Sequence, residues 1–238
     1  MSALQRHWDW RAAANFMLGG AGAGLVACAP LAGHSYLVFA GLAMIAAGLG
    51  AVWLETGRKL RAAHVLFNPF TSWMTREAFA ALLLFPLGLF YPLLAAPLAL
   101  AFLYCQARIL HASKGIPAWR AREVVALVVS TGLAEGAGLA LVFSADRWLL
   151  GVFAAAVTLR YFAWRQYRAA VRSEALEPAG RTLGWVGTGA ALVLLPIAPP
   201  VAGLAAAACG AWLKLALVTR ASFKQGFSLP HLPVRGAR

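Results

Sequence analysis

Charge is scarce in this chain, and acid is scarcer still. Of 238 residues only 12% are Asp, Glu, Lys or Arg, only 8 are acidic, and 61% belong to the hydrophobic set. A soluble domain carries about a quarter of its residues charged, so a water-facing globule is excluded and lipid must be the solvent. The alternation of apolar and polar residues that builds a membrane barrel is also missing, because the apolar residues come in continuous runs. Cysteine is nearly absent: Cys28, Cys105 and Cys209 stand singly, with none of the short spacings that metal or redox motifs need. Histidine is missing from the middle of the apolar runs. His7, His34, His64, His111 and His231 fall in tails, loops or helix ends, whereas haem needs histidines facing each other inside a bundle, so no haem is expected. No nucleophile with a base, no carboxylate dyad and no metal-ligand cluster can be assembled, which argues against chemistry performed by this chain alone. A nucleic-acid recognition module is lacking too, despite an isoelectric point near 10.9.

What is present is a series of long apolar segments, with a mean hydropathy of +0.71. A helix needs about 20 apolar residues to cross a bilayer. Eight crossings are expected, near Ala12 to Leu31, Ser35 to Leu54, Arg76 to Phe90, Pro92 to Leu110, Val124 to Phe143, Trp148 to Trp164, Leu183 to Ile197 and Pro200 to Val218. The first run has no small-x-small site followed by a polar mature domain, so it reads as a retained helix and not a removable signal. The expectation is an all-α integral membrane protein, one membrane domain over 1–238, folded as an eight-helix bundle with both termini on the same face.

Charge sorts across that arrangement. Of the 21 Lys and Arg residues, 18 fall on the face with the termini, Arg147 lies in a turn on the other, and Arg160 and Lys214 lie within helices. The positive-inside rule makes the termini face cytoplasmic, which in a bacterium means the inner membrane. Such a face attracts anionic lipid. Its three loops, near Glu55 to Thr75, His111 to Glu123 and Arg165 to Arg181, are rich in Arg and Trp and long enough to dock a soluble partner.

The Gly-rich run from Gly19 to Gly24 has no strand before it, so it is read as close helix packing through Gly20 and Gly24 and not as a dinucleotide loop. Gly41, Gly48 and the Gly136 to Ala140 step are read the same way. Counted from the turn at Asp146 and Arg147, Glu135 and Arg160 lie at depths of about 16 and 20 Å at the helical rise. They are expected to form an intramembrane ion pair, with Lys214 at a similar level and Thr131 one turn from Glu135.

The segment from Trp53 to Phe79, WLETGRKLRAAHVLFNPFTSWMTREAF, gathers Glu55, Arg58, Lys59, Arg61, His64, Arg76 and Glu77 at one membrane surface. One reading is structural, with Glu77 in the first turn of a helix, where the macrodipole favours an acid, and Glu55 paired to arginine. The other is a pocket at the lipid edge with proton-exchanging groups, cations and an apolar entrance, which is what a quinol site requires.

The stretches Leu54-Glu55-x-Gly57-Arg58-x-x-Arg61 and Thr71-Ser72-Trp73-Met74-Thr75-Arg76-Glu77 resemble the membrane anchor subunit of dimethyl sulfoxide reductase and its relatives, which are similar to polysulfide reductase-type anchors. Ala107-Arg108 and Ile116-Pro117-Ala118-Trp119 extend the resemblance. It implies eight helices, a bound quinone (menaquinone or ubiquinone) and no haem. It also implies an iron–sulfur electron-transfer subunit docked on the anchor, leading to a molybdopterin catalytic subunit, so that iron–sulfur clusters and molybdopterin reside only in partners. By motif position it implies quinone-site roles for Gly57, Arg61 and Glu77. Glu55 stands where the dimethyl sulfoxide reductase anchor has a His, which keeps an ionisable group, and His64 is a further candidate. The tail from Gln225 to Val234 resembles members associated with phenylacetyl-CoA:acceptor oxidoreductase. The functional expectation is a quinone-binding anchor of a molybdopterin/iron–sulfur complex. The alternative from another class is a small multi-helix transporter, for which the halves of this chain show no internal repeat.

Overall fold

The computed structural model describes residues 4–5, 8–55 and 64–223. The described residues are helical almost throughout, and among them eight long helices account for the bundle. These are α1 (Trp10–Ala32), α2 (Tyr36–Glu55), α3 (Trp73–Phe90), α4 (Ala96–Ala112), α5 (Glu123–Ala140), α6 (Arg147–Ala170), α7 (177–194) and α8 (Pro199–Thr219). Five of them, α1, α2, α3, α5 and α8, are long and apolar enough to cross a membrane. The remaining three differ for visible reasons. Helix α4 has 17 residues, α6 carries Arg147, Arg160, Arg165 and Arg168 along its 24 residues, and α7 opens on Glu177 and Arg181.

Local sequence explains the ends. Ser72 caps α3 by accepting the Thr75 amide on its hydroxyl, and Asp146 caps α6 by accepting that of Trp148. Gly33, with φ of 71°, closes α1 in the left-handed conformation that glycine alone adopts without strain. Prolines 92, 117, 178 and 199 stand in the first turns of the helical segments they open, where a missing N–H is not felt.

The two ends of the described chain meet. Leu4 pairs with Phe223 in an isolated antiparallel bridge, the Gln5 amide donates to the Ser222 carbonyl at 2.9 Å, and the Gln5 side chain donates to the Trp8 carbonyl at 2.6 Å. Trp119, on the short helix Pro117–Arg120, donates its indole N–H to the Leu217 carbonyl. Tyr167 donates to the Ala118 carbonyl. The connection between α4 and α5 is thereby packed into the bundle and not spread over its surface.

Helices α1 and α5 form the centre, with 78% and 67% of their apolar windows buried against 33% for both α2 and α3. Glycine sets this core. A Cβ on Gly136 would overlap the Gly24 backbone, and one on Gly24 would overlap the Gly132 carbonyl. The α1 and α5 backbones therefore touch, as the small-residue reading expects. Gly138 and Gly203 bring α5 and α8 together in the same way. Large apolar side chains such as Leu82, Leu83, Phe90, Leu159 and Val193 point outward instead, the arrangement of a bundle whose solvent is hydrocarbon.

Two of the helices contain a π-helical stretch, Asn15–Gly19 within α1 and Trp185–Ala190 within α7. Both offer carbonyls to side chains of other helices, and both lie at the buried polar groups.

Candidate functional site

Most of the polar groups inside the bundle fall into two clusters. The first surrounds Glu77. Counting from the Ser72 cap, Glu77 lies beyond the first turn of α3, which contains no acid. The first-turn reading is therefore corrected: the macrodipole does not hold this carboxylate. It turns inward to 5% exposure, with the side-chain amides of Asn15 from α1 and Gln106 from α4 beside it. Gln106 donates to the Asn15 carbonyl at 2.9 Å. Gly19 and Gly48 make the room, since a Cβ at Gly19 would lie 2.6 Å from the Gln106 amide nitrogen and one at Gly48 would lie 3.1 Å from Asn15 Oδ1. Three oxygens here, Glu77 Oε1, Asn15 Oδ1 and Gln106 Oε1, are buried and meet no donor among the described residues.

The start of α3 beside this cluster is cationic and aromatic. Arg76 donates to the Pro69 and Phe70 carbonyls at 2.9 and 2.7 Å. Its guanidinium lies 4.2 Å from the centre of the Trp73 ring, and that of Arg108 lies 4.3 Å from the same centre. Thr75 donates to the Val65 carbonyl, tying the 3₁₀ turn 64–67 to the start of α3. His64 is exposed in that turn, with its ring 5.5 Å from the Phe67 ring. Glu55 is the last residue of α2. Gly57 and Arg61 lie outside the described residues, as does the tail from Gln225 to Val234. Of the five expected quinone-site residues, the structure thus describes the side chains of His64 and Glu77, one exposed and one buried.

The second cluster joins α5, α8 and α1. Glu135 is paired with Lys214 at 2.5 Å, and the Lys214 ammonium also donates to the Phe16 carbonyl in the π-helical stretch of α1. Gly20 and Gly210 face the pair, where any side chain would collide with Lys214 Nζ or Glu135 Oε1. This corrects the expected pairing of Glu135 with Arg160. Arg160 donates instead to two main-chain carbonyls, Ala206 at 2.8 Å and Gly187 at 2.6 Å. Depth along the helices admitted either cation, but the side of α8 that faces α5 selects Lys214. Both cations are almost wholly buried, and each has partners. Thr131 donates to its own helix at the Leu127 carbonyl.

Asn15 and Gln106 are the site residues that sequence reading missed. Each is a lone amide in an apolar run, lying near the end of its helix on the face that holds the start of α3. That shared level was the signal available. The cysteines are all free and buried, and among the described residues no group of His, Cys, Asp and Glu could hold a metal ion. Compared with known proteins, the chain matches no family model and no curated sequence.

Proposed function

We propose that this chain is the quinone-binding membrane anchor of a molybdopterin/iron–sulfur oxidoreductase complex. It would pass electrons between the quinone pool and an iron–sulfur subunit docked on the face with the termini. In this reading α4, α6 and α7 cross the membrane along with the other five, giving eight crossings, and the termini are cytoplasmic in a bacterial inner membrane. The basic residues concentrated on the termini face support that orientation.

The observation that carries the proposal is the buried Glu77 carboxyl near the opening of α3, which, unlike Glu135 with its Lys214, meets no cation among the described residues and leaves Oε1 without a donor. A buried carboxylate without a cation is retained against a large desolvation penalty, and such groups mark proton-handling sites. When bound, a quinol supplies two electrons and two protons. The chain's own part is to accept a proton at Glu77 Oε1, to position that carboxyl with the Asn15 and Gln106 amides, and to hold a polar head near Arg76 and Trp73. Gly57 and Arg61 join the site by their resemblance to the anchor motif, Glu55 stands where the related anchor has a His, and His64 joins as a proton-exchanging neighbour in the same segment.

In the assembled complex, Glu77→Gln should lower quinol-linked electron transfer by about 100-fold, the lower end for loss of a general base. The partners' activity with artificial dyes should remain normal. Should both activities fall together, Glu77 holds the complex and not the quinone. Mild-detergent purification should bring down an iron–sulfur polypeptide. A phosphatase fused at Arg238 should be inactive where a fluorescent protein glows, and the opposite pattern would invert the orientation.

A further inference from the structure

Between the C-terminal half of α6 and the stretch 177–189 of α7 lies a cleft of about 410 Å³. It lies apart from the Glu77 cluster and adjoins the other through the π-helical stretch of α7, whose Gly187 carbonyl accepts from Arg160. Its back wall is the Trp164 ring, packed so closely on Gly180 that a Cβ there would overlap the indole. Its rim carries Arg165, Arg168 and Arg181 against a single acid, Glu177. Arg168 and Glu177 are joined at 2.7 Å. Arg165 and Arg181 meet no carboxylate among the described residues, and both are exposed. The rim therefore presents two cations that no carboxylate among the described residues neutralises.

Deeper in the cleft, the π-helical stretch of α7 presents Thr188. The other threonine hydroxyls of α6 and α7 are spent on their own helices: Thr158 donates to the Ala154 carbonyl and Thr182 to that of Pro178. Thr188 Oγ1 has no partner among the described residues, although the residue is only 8% exposed. From Arg181 to Thr188 the helix rises about 10 Å. Trp185 lines the cleft and is exposed, and Val186 and Val193 on the same helix are exposed and apolar too.

We propose that this cleft binds the headgroup of an anionic phospholipid. Arg165 and Arg181 hold its phosphodiester, Thr188 donates to an ester carbonyl of the glycerol backbone below, and the acyl chains lie along the outer side of α7. A free phosphate would leave Trp185 and the exposed apolar residues of α7 without purpose, and a neutral quinone would leave the two arginines unpaired. The proposal rests on α6 and α7 crossing the membrane and is independent of the quinone site.

The test uses the full chain, delipidated in mild detergent and placed in vesicles of phosphatidylcholine with increasing brominated phosphatidylglycerol, reading quenching of tryptophan fluorescence. Quenching should saturate with phosphatidylglycerol. The Arg165→Gln/Arg181→Gln variant should need about twenty-five-fold more of it, some fivefold per arginine, while Arg165→Lys/Arg181→Lys stays close to wild type. Thr188→Val should weaken binding by a further few-fold, and unchanged helicity checks that the variants fold. Equal quenching by brominated phosphatidylcholine would mean an embedded protein without a site. Absence of quenching by either lipid would remove the membrane placement of α6 and α7. Displacement by inorganic phosphate alone, or by a short-chain quinone, would show a different ligand. Each of these results would overturn the proposal.

Discussion

The two buried polar clusters are built from similar parts and balanced in opposite ways. Around Glu135 the cations are in excess and each is held, Lys214 by a carboxylate and a carbonyl and Arg160 by two carbonyls, while Glu135 Oε1 and Arg160 Nε meet no hydrogen-bond partner among the described residues. Around Glu77 the acceptors are in excess, and no cation is paired with the carboxylate among the described residues. Both clusters lean on the same π-helical stretch of α1, whose consecutive carbonyls serve Gln106 on one side and Lys214 on the other. The first cluster is closed in charge, its carboxylate having a counter-ion, so a change there should be felt as stability. The second is open to a proton or a polar ligand, so a change there should be felt as function.

The largest effect should come from opening the closed cluster. Lys214→Met leaves Glu135 buried without its counter-ion, and removing one partner of a buried pair is destabilising by about 3–5 kcal/mol. Thermal unfolding in detergent should show the loss, and the double variant Glu135→Gln/Lys214→Met should recover most of it. If the double variant is as unstable as the single one, the pair is not what Lys214 contributes.

Gly136→Ala comes next. The new methyl would meet the Gly24 backbone, which cannot swing aside as a side chain could. Overpacking of this kind costs about 1–3 kcal/mol, and helix α1 must shift to relieve it. Because α1 carries the carbonyls both clusters use, Gly136→Ala should impair stability and quinol-linked turnover together. A loss of one without the other would show that the clusters do not share α1 as a frame.

Much of this architecture was legible in the residues, and the reasons are physical. The length of an apolar run fixes a crossing helix because backbone groups in hydrocarbon must be satisfied within the segment. Hence the expected Val124 to Phe143 and Pro200 to Val218 lie close to the observed Glu123–Ala140 and Pro199–Thr219. Glycine contacts were legible because a small residue in a bundle core has few other uses. The π-helical stretches were not, since nothing in Asn15–Gly19 or Trp185–Ala190 demands a wide turn; the groups that use their carbonyls, Gln106, Lys214 and Arg160, come from other helices. For the same reason the partner of Glu135 could be narrowed by depth but not chosen. Choosing it needs the rotation of α8 about its axis, which packing decides.

A smaller effect is expected at the surface. Asp9 caps α1, accepting the Arg11 amide at 2.8 Å, and the Arg11 guanidinium holds its carboxyl below the usual carboxylate range. Asp9→Ala should cost about 1 kcal/mol, as lost caps do. The sign of its pH dependence follows from the depressed value. The contribution is present above the unfolded pKa of about 4 and is lost as pH falls through the lower folded one. Wild type and Asp9→Ala should therefore converge in thermal stability only in strong acid.

The smallest change in stability should come from Glu77→Gln, which makes it the sharpest test of the comparison. The substitution keeps shape and, among the described residues, strands no counter-ion. The Gln amide adds a donor among the orphaned oxygens of Asn15 and Gln106. The desolvation penalty of the carboxylate disappears, and at most a neutral hydrogen bond's worth of about 1 kcal/mol is exchanged. Unfolding of Glu77→Gln should then match wild type within that margin at neutral pH, while Lys214→Met, at a site just as buried, falls several-fold further. If Glu77→Gln proves as destabilising as Lys214→Met, the carboxylate has a counter-charge that makes its cluster as closed as the other, and Glu77 would then be a structural anion with no proton to exchange.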